Sequence, residues 1–479
     1  MRRFIPVFCA SVLLSACGGG GEATEVASAI SAVISGTTTN LIAGDTLSLS
    51  ASKSVTSSAA ASYRWTLSEK PAGSAVLLES ANTADLQFIA DRAGDYKVNL
   101  TVSDAGQTKT TSLVIQVAVN QQPELSLLSP ELQNVLIDQS MRFDAAASRD
   151  PEGRALQFQW QVLSEPTGSQ LVLADQSVLN VTPAVSGQYN FRLVVSDGMN
   201  RVSKDIGFTA YKSALSFKAD ATSAKTAEQQ VTAFFGEGSL DMPLSHPAAE
   251  HLQIETDDVV GPHFVFKLHL LDDGDRELGF NDTDRQRAEI KSYSQSADAL
   301  VCREGDRMEV DFSLKSDDIN LSTSFTHLFQ LKGKADTPLF TLSAQKTDGE
   351  TALRLNHVQG TSRLSPLAAV PWDKVKDSWL AISLGFSCGS QGYLNIVIKD
   401  QHPGGVTYLD QKFPELKMWQ DQSNDVYGIK TGLYRKIKEN CLPAQADATA
   451  SCADLSLIKK GLERPEDKVR LGQINIRKL

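Results

Sequence analysis

The chain has 479 residues, a length that predicts two or more domains. Its formal net charge is -11 at pH 7. Bulk charge therefore excludes non-specific binding to nucleic acid or to anionic polymers, and an anionic ligand would need a local basic site.

The N-terminus has the pattern of an export signal. Residues 1–17 combine a basic start, a short apolar stretch and small residues ahead of Cys17, and the stretch is too short to span a bilayer as a mature helix. The sequence Leu-Ser-Ala-Cys that ends at Cys17 resembles the bacterial lipobox, which implies that Cys17 is acylated. An ordinary signal peptide with an incidental cysteine is the alternative. Residues 18–30 begin as a glycine-rich polar tether, and Gly18 favours the outer membrane in the resemblance to lipoproteins of diderm bacteria. We expect an exported lipoprotein at the outer membrane or cell surface.

Four cysteines follow the predicted signal: Cys302, Cys388, Cys441 and Cys452. An exported compartment permits disulfides. Cys441 and Cys452 bracket a loop rich in Pro, Ala and Asp and are predicted to pair, which leaves Cys302 with Cys388 as the remaining possibility. A metal site at these cysteines is not indicated, because the sequence has no Cys-x-x-Cys pair or nearby His.

The first half of the chain contains an internal repeat. Two segments recur: Ser62–Ser74 as Gln157–Ser169, and Gly94–Asp104 as Gly187–Asp197. A Trp on an inner strand and a Tyr that opens a late strand fit the core of an immunoglobulin-like β-sandwich. The pattern Trp…Pro-x-Gly-Ser…Gly-x-Tyr…Ser-Asp resembles PKD-type domains, which implies one domain over residues 31–118 and another over 119–212. We expect Trp65 and Trp160 in the core rather than stacked on sugars, and we interpret both modules as spacers or weak adhesion units.

Residues 213–479 have a different sequence pattern from the two repeats. Polar and apolar side chains alternate in segments separated by polar turns, as in His263–His269, Arg307–Lys315 and Tyr393–Lys399. A domain of this size with scarce helical periodicity predicts a large two-sheet jelly roll, whose concave sheet makes a groove. The predicted fold class is all-β, with two immunoglobulin-like, PKD-type β-sandwiches followed by a concanavalin-like β-jelly roll.

Three segments of this last domain are unusually polar. In Asp284–Lys291, period two places Arg285, Arg287, Glu289 and Lys291 on one strand face. Such a face is either fully solvated or the floor of a polar groove.

The second segment is Phe325–Gly333, where Gln330 and Lys332 share a face. His327 has the opposite parity unless a β-bulge re-aims it, and a histidine satisfied within the core or rim is the alternative. His269, in another strand, leads into the acidic turn of residues 272–276. That turn could hold a structural calcium ion, although we expect a solvated loop.

The third segment is Tyr427–Arg435. Lys430, Gly432 and Tyr434 share one face, where a core strand would normally carry apolar residues. Gly432 leaves a gap for a ligand to approach the backbone. The cation beside Tyr434 is predicted to favour phenolate and to lower the pKa of the phenol.

Together these segments resemble the jelly-roll polysaccharide lyases, which include the family 7 alginate lyases, heparin lyase I and the glucuronan lyases. Those enzymes carry an Arg-x-Glu-x-Arg strand, a Gln-Ile-His strand and a late Tyr-Phe-Lys-x-Gly-x-Tyr strand. Here Arg287–Lys291 matches the first with Lys in place of the second Arg, and Gln330–Lys332 matches the second with Lys in place of His. Tyr427–Tyr434 matches the third.

The resemblance implies β-elimination on a uronic-acid-containing polysaccharide of the alginate or glucuronan type. Tyr434 would act as general base, general acid or both, while Arg287 and Gln330 neutralise the uronate carboxylate. Lys430 would favour the Tyr434 phenolate, and His327 is a further catalytic candidate. The residues expected to bind substrate are Lys332, Glu289, Lys291, Arg285, His269 and Arg435. The chemistry requires no cofactor or metal, and the expected partners of this predicted monomer are an anionic polysaccharide and, through the lipid anchor, a membrane.

Two other classes of protein stay open. A retaining glycoside hydrolase needs paired carboxylates, and the nearest match, Glu309-Val-Asp311, lacks the final Glu of the usual pattern. A non-catalytic lectin or adhesin would present an aromatic platform. The candidate tryptophans, Trp372, Trp379 and Trp419, are scattered along the sequence and are expected in the core or rim.

Overall fold

The computed structural model describes residues 29–58, 60–78, 82–244, 246, 250–270, 273–275, 285–321, 324–347, 349–359, 363–420, 426–436 and 466–479. The predicted acylation site Cys17 and the predicted disulfide partners Cys441 and Cys452 lie outside the described residues. No helix in the described ranges is long and apolar enough to cross a membrane.

The first repeat forms two small sheets around an apolar core. Its strands are β1 (Ser35–Gly36), β2 (Leu41–Ile42), β3 (Thr46–Ser50), β4 (Ser62–Glu69), β5 (Asp85–Ile89), β6 (Gly94–Asp104) and β7 (Gln107–Ala118). One sheet has the order β1-β3-β5 and the other the order β2-β7-β6-β4. In β6, Tyr96, Val98, Leu100 and Val102 are fully buried, while the side chains between them are partly exposed. This alternation results from a sheet with one face in the core.

The second repeat has the same plan. Its strands are β8 (Val135–Leu136), β9 (Met141–Asp144), β10 (Gln157–Ser164), β11 (Val178–Val181), β12 (Gly187–Ser196) and β13 (Arg201–Tyr211). They form a sheet of order β10-β12-β13-β8 and a pair β11-β9. Trp65 and Trp160 are 2% and 5% exposed, so their predicted place in the core is confirmed.

The C-terminal domain contains the remaining elements. These are β14 (Ser213–Phe217), α1 (Ala227–Phe235), β15 (Leu240–Asp241), β16 (Leu252–Asp257), β17 (Gly261–His269), β18 (Arg285–Lys291), β19 (Val301–Cys302), β20 (Arg307–Ser316), β21 (Thr326–Lys332), β22 (Phe340–Thr347), β23 (Glu350–Gln359), β24 (Arg363–Pro371), β25 (Leu380–Ser387), β26 (Gly392–Asp400), β27 (Thr407–Leu416), β28 (Tyr427–Lys436) and β29 (Glu466–Lys478), with short 3₁₀ helices at Asp298–Leu300 and Trp372–Lys374. Helix α1 begins with a capping box in which Thr226 and Gln229 bind each other's backbone N–H groups.

Two eight-stranded sheets build this domain. The groove sheet has the order β15-β18-β28-β21-β22-β23-β24, with β19 beside β28, and the back sheet has the order β16-β17-β29-β20-β25-β26-β27, with β14 beside β29. Buried apolar residues of both sheets belong to one core, among them Phe264 and Phe312 of the back sheet and Phe329, Phe340 and Leu433 of the groove sheet. The predicted fold class is therefore confirmed: two immunoglobulin-like sandwiches are followed by a jelly roll.

A disulfide joins Cys302 and Cys388. Cys302 lies in β19 of the groove sheet, and Cys388 directly follows β25 of the back sheet. The bond therefore ties the two sheets together, and it settles a pairing that the sequence left open.

Candidate active site

The three polar strands are neighbours in the groove sheet, with β28 in the middle. Antiparallel pairing sets residues of β18 and β21 directly opposite residues of β28. Two rows of three side chains cross the strands: Arg287, Tyr434 and His327 form the first row, and Lys291, Lys430 and Gln330 form the second. The polar segments that are distant in sequence thus share one surface.

A β-bulge brings His327 onto the face that carries Gln330. The register of β21 shifts between His327 and Phe329 against both neighbouring strands. An extra residue at this point offsets the alternation of side chains, so two residues of opposite parity reach the same groove. The β-bulge that His327 needs in order to line the groove is therefore present.

Gly432 lies between the two rows and permits a close approach of β18. Its φ is +139°, and a Cβ atom at this position would lie 2.7 Å from the Cα atom of Glu289. A side chain here would push the two strands apart. The predicted gap for a ligand is wrong, because the neighbouring strand already fills it.

Glu289 is the centre of an ion-pair network beneath the groove. It is 1% exposed. One of its carboxylate oxygens accepts hydrogen bonds from Arg287 at 2.9 Å and from Lys430 at 2.8 Å, and the other accepts from the Gln330 amide at 2.8 Å. The single carboxylate therefore fixes one side chain from β28 and one from β21, as well as Arg287 on its own strand.

Two aspartates that were not predicted as site residues complete the network. Asp241, at the end of β15, accepts from Lys291 at 2.7 Å and from Lys430 at 3.1 Å. Asp275 accepts from the Nε atom of Arg287 at 2.8 Å. Asp275 was visible in the sequence as part of an acidic segment, but its partner Arg287 was not, since the pairing depends on where Asp275 lies against β18.

Burial opposes ionisation of Asp241 and Glu289, and neighbouring cations more than offset it. The charges of Lys430, Lys291 and Arg287 lower the pKa of Asp241 to about 2. Lys430 and Arg287 hold the pKa of Glu289 below its usual range. Both carboxylates are therefore ionised at neutral pH, and neither can donate a proton there.

Tyr434 lies against two guanidinium groups. The Cζ atom of Arg287 is 3.7 Å from the centroid of the phenol ring, and the hydroxyl accepts a hydrogen bond from Arg285 at 3.2 Å. Burial raises the pKa of Tyr434, and the two positive charges offset this only in part. The predicted lowering of this pKa by Lys430 is wrong, because burial outweighs the nearby positive charges and the Lys430 ammonium is bound by the carboxylates of Asp241 and Glu289. At neutral pH Tyr434 is a neutral phenol that can donate a proton.

His327 is buried beside Tyr434, with 5.9 Å between the ring centroids. Its Nδ1 atom is 2.7 Å from the Ser343 hydroxyl oxygen, and its ring stacks on Phe325 with 4.5 Å between centroids. Burial lowers the pKa of His327 to about 3, so the imidazole is neutral at neutral pH. A neutral imidazole therefore lies across from a neutral phenol.

Lys332 lies at the other end of the groove. It pairs with Gly428, six residues before Tyr434, which corresponds to about 20 Å along a strand. Its ammonium donates to two backbone carbonyls, one of them that of Asp336 at 2.9 Å. Burial lowers the pKa of Lys332 to about 8. His327, rather than Lys332, is therefore the residue that faces Tyr434.

Two residues predicted to bind substrate lie away from the groove. Arg435 is 1% exposed and pairs with Asp467 of β29, because its parity on β28 points it into the core. His269 ends β17 of the back sheet, where its ring nitrogens lie near Asp273 and Glu466. Both side chains therefore belong to the packing of the domain, and the two predictions are corrected.

The cavity above the two rows has a volume of about 940 Å³. Its lining includes most of the predicted site: Arg285, Arg287, Lys291, His327, Gln330, Lys332, Lys430 and Tyr434, together with Asp275, Tyr293 and Phe325. Glu289 lies beneath this lining rather than in it, so it is not placed to contact substrate, whereas the expectation from the sequence that its carboxylate holds Arg287 in place is confirmed by their hydrogen bond of 2.9 Å. A cavity of this size accommodates a ligand larger than a monosaccharide.

A glycoside hydrolase would need a carboxylate pair in the groove, and a lectin would need an aromatic platform. Among the described residues, the candidates for both lie elsewhere. Glu309 and Asp311 are in β20 of the back sheet, where both pair with Arg477. The tryptophans Trp372, Trp379 and Trp419 are buried, which confirms their predicted place in the core or rim. In the part of the chain that the structure describes, the groove thus has neither the predicted carboxylate pair nor a tryptophan platform.

Residues 35–117 and 132–206 each match the family model of the PKD domain of KIAA0319-like proteins. The PKD-like character of the two repeats is thereby confirmed. All of the matched residues precede the jelly roll.

One curated relative is the Dyslexia-associated protein KIAA0319-like protein of Mus musculus, 34% identical over 145 residues, which cover 30% of this chain and 14% of the mouse protein. Among solved structures, an alginate lyase from polysaccharide lyase family 7 aligns with 53% of this chain and 100% of its own, at 11% identity and a TM-score of 0.33. An alginate lyase from Pseudomonas aeruginosa aligns with 48% of this chain and 86% of its own, at 14% identity and a TM-score of 0.28. The residues that match the family model lie in the repeats, so the chemistry of the groove has to be argued from the residues of the groove itself.

Proposed function

We propose that the jelly-roll domain is a polysaccharide lyase that cleaves a uronic-acid-containing polysaccharide, of the alginate or glucuronan type, by β-elimination. The observation that carries the proposal is the row of Arg287, Tyr434 and His327 in one groove. Elimination needs an acceptor for the C5 proton, a donor for the leaving oxygen at C4, and positive charge near the carboxylate. The row offers one group for each task.

The uronate carboxylate would bind beside the guanidinium groups of Arg285 and Arg287, which flank Tyr434. Negative charge moves onto this carboxylate as the C5 proton leaves. Positive groups at that point stabilise the transition state more than the ground state. Because Asp275 and Glu289 fix the orientation of Arg287, little reorganisation is needed during the reaction.

The two protonation states suggest how the proton transfers divide. Tyr434 donates to the leaving oxygen, since its raised pKa keeps the phenol protonated. His327 accepts the C5 proton, since its low pKa keeps the imidazole neutral. A group with a pKa of about 3 is a weak base, and the carboxylate of a bound uronate would raise that pKa towards the range of general bases. The alternative is that Tyr434 serves as both base and acid, in which case His327 is dispensable.

Gln330 and Lys332 would extend the site along the groove. The side-chain oxygen of Gln330 is buried and has no hydrogen-bond partner among the described residues, so a sugar hydroxyl can supply the missing donor. Lys332 is too far from Tyr434 to act on the same sugar. Its ammonium would meet the carboxylate of another uronate in the bound polymer.

A hydrolase fits the groove less well. Glycoside hydrolysis needs a carboxylic acid that stays protonated near neutral pH. The pKa values of Asp241 and Glu289 are shifted in the opposite direction. A non-catalytic carbohydrate-binding protein is the other alternative, and it does not require a phenol, an imidazole and two guanidinium groups to meet at one point.

The test is ultraviolet absorbance after the purified protein is mixed with alginate, glucuronan and other uronate polysaccharides. A lyase releases an unsaturated uronate that absorbs, whereas a hydrolase or a binding protein does not. The wild-type protein should produce absorbance with at least one polymer. The proposal fails if the wild-type protein binds or hydrolyses these polymers without any absorbing product.

We also propose that the chain is a lipoprotein anchored through Cys17 at the outer membrane, with the two PKD-like repeats as spacers between membrane and enzyme. The lipobox-like sequence before Cys17 supports this. Expression of the wild type and Cys17→Ser in a diderm bacterium, followed by membrane fractionation, tests it. Equal recovery of both proteins in the outer-membrane fraction would contradict the anchor.

A further inference from the structure

Three histidines and one aspartate form a cluster outside the groove. His246 lies between β15 and β16, His251 immediately precedes β16, His269 ends β17, and Asp273 lies four residues further on. One potential ligand atom from each of the four side chains lies within 4.8 Å of the others. Four donors thus converge from three separate segments of the chain.

The carboxylate of Asp273 is the centre of the cluster. Its side chain is fully buried, and the Nδ1 atoms of His246, His251 and His269 lie 3.0, 3.4 and 3.1 Å from its oxygens. The three ring centroids are 5.1 to 5.8 Å apart. The same nitrogen of all three rings therefore points at one small region.

The hydrogen bonds of the outer nitrogens favour a cation in that region. His269 Nε2 lies 3.2 Å from the carboxylate of Glu466, and His251 Nε2 lies 3.3 Å from the backbone carbonyl of His246. A neutral imidazole has one N–H, so donation at Nε2 leaves a lone pair on each Nδ1. In this tautomer the lone pairs face the Asp273 carboxylate, and a cation between them would bind both; in the other tautomer each Nδ1–H donates to the carboxylate directly. The Nδ1 atom of His251 also faces a backbone carbonyl oxygen, at 3.2 Å.

We propose that His246, His251, His269 and Asp273 bind a divalent transition-metal ion, with Zn²⁺ as the ion that this donor set fits best. Three imidazole nitrogens and one carboxylate oxygen make a four-ligand set, the number that structural zinc sites use. Donation from His269 to Glu466 is the type of outer hydrogen bond that orients metal-bound histidines. The His246 side chain is 33% exposed and leaves a route for the ion.

The ion would stabilise the segment behind the groove. Residues 273–275 connect Asp273 of the cluster with Asp275, which binds Arg287 at 2.8 Å. A side chain on β18, Gln286, also donates to the backbone carbonyl of Asp273 at 2.8 Å. The site would therefore be structural and would help to orient a groove residue without lining the groove. The sequence suggested at most a calcium ion at the acidic turn that contains Asp273, and this histidine site was not predicted, because its ligands have no recognisable spacing along the chain.

The test is metal binding by the full chain, purified without a histidine tag and stripped with a chelator. After equilibration with Zn²⁺ alone and dialysis, the wild type should retain one ion per chain by mass spectrometry of the metal. Co²⁺ in place of Zn²⁺ should give the strong visible absorption of a four-coordinate ion. An ion held loosely by surface groups would give only weak colour.

Two variants and a matched control locate the ion. His251→Asn and Asp273→Asn should weaken Zn²⁺ binding by at least about tenfold. His402→Asn removes an exposed histidine that pairs with Asp400 and should bind as the wild type does. Circular dichroism checks the fold of each variant, and the wild-type Co²⁺ spectrum needs no variant at all. The proposal is overturned if the stripped wild type binds no ion tightly, or if folded His251→Asn binds it equally well, since the rings then only hydrogen-bond to the carboxylate.

Discussion

Strands β6 and β28 bury their residues in different ways. In β6 one face is apolar and fully buried, and the other face is partly exposed. In β28 every residue except the last is buried, and the face towards the groove carries Lys430 and Tyr434. Hydrophobic burial accounts for β6, whereas each polar group buried in β28 needs a partner. A strand with only a structural role would usually present apolar residues there, so the buried polar face of β28 supports the proposed catalytic role.

The largest expected effect is a loss of activity on substitution of Tyr434 in β28. Tyr434→Phe keeps the ring over Arg287 but removes the proton donor, so the rate of formation of the absorbing product should fall by about 10²–10⁴-fold. The melting temperature should stay close to that of the wild type. Tyr96→Phe, in the first repeat, is the control and should keep full activity. Full activity of Tyr434→Phe would show that another group transfers the proton.

The second prediction concerns the disulfide, which the C-terminal domain has and the two repeats, without any cysteine, do not. Replacing both Cys302 and Cys388 by Ala removes a cross-link over 86 residues and should lower the free energy of unfolding of that domain by about 4 kcal/mol. Calorimetry of the full chain should show the loss in the transition of the jelly roll. An equal shift in the transitions of the repeats would contradict this assignment.

The third prediction compares a buried with an exposed ion pair. Glu289→Gln leaves Arg287 and Lys430 without their shared carboxylate in a buried site and should cost about 3 kcal/mol in urea unfolding, with loss of activity. The control is Glu69→Gln in β4, where the carboxylate that pairs with Lys97 is 65% exposed and the expected change is below about 1 kcal/mol. Similar losses for both variants would argue against a network that depends on burial.

The same contrast explains which parts could be predicted from the sequence. Alternation was sufficient for β6 and for the shared face of Arg287, Glu289 and Lys291, because side-chain direction in a strand follows directly from period two. The groove position of His327 depends on a register shift against two neighbouring strands, which no local pattern shows. Likewise, the presence of Lys332 at a histidine position of the motif gave no sign that His327 is the residue that faces Tyr434.

The pKa shifts and ion pairs of the site were harder to predict from the sequence than the identity of the residues that line it. The charge expected to act on Tyr434 was that of Lys430, whereas Arg287 and Arg285 supply the positive charge, and burial has the larger effect on the pKa of Tyr434 and raises it. Asp241 is far in sequence from the strands it serves, and only the pairing of β15 with β18 brings it to Lys291. Burial and long-range pairing are properties of the folded chain, which is why composition and spacing could not supply them.

The fourth prediction is that protonation of Asp241, beneath the groove, makes the stability of the protein depend on pH. The folded-state pKa of Asp241 is lowered to about 2, below the value near 3.9 of an unfolded Asp, so the unfolded state binds this proton more readily. The associated stability, about 2.5 kcal/mol, is fully present above about pH 5 and is lost progressively as the pH falls through about 2. Urea unfolding between neutral and acidic pH should therefore show a smaller loss for Asp241→Asn than for the wild type. Equal losses would assign the acid sensitivity to other carboxylates.

The smallest expected effect is in the second repeat and completes the comparison of tyrosines. The Tyr189 hydroxyl donates to the Val185 carbonyl at 2.7 Å, as the Tyr96 hydroxyl does to the Arg92 carbonyl at 3.0 Å, four residues upstream in both repeats. Tyr189→Phe removes one partly buried hydrogen bond and should cost about 1 kcal/mol, measured by urea unfolding, without change in lyase activity. Tyr434→Phe also deletes a phenol oxygen, but it should lower the activity strongly and leave the stability close to that of the wild type. If both substitutions lowered stability and left activity intact, the groove tyrosine would be structural, and the buried polar face of β28 would need an explanation other than catalysis.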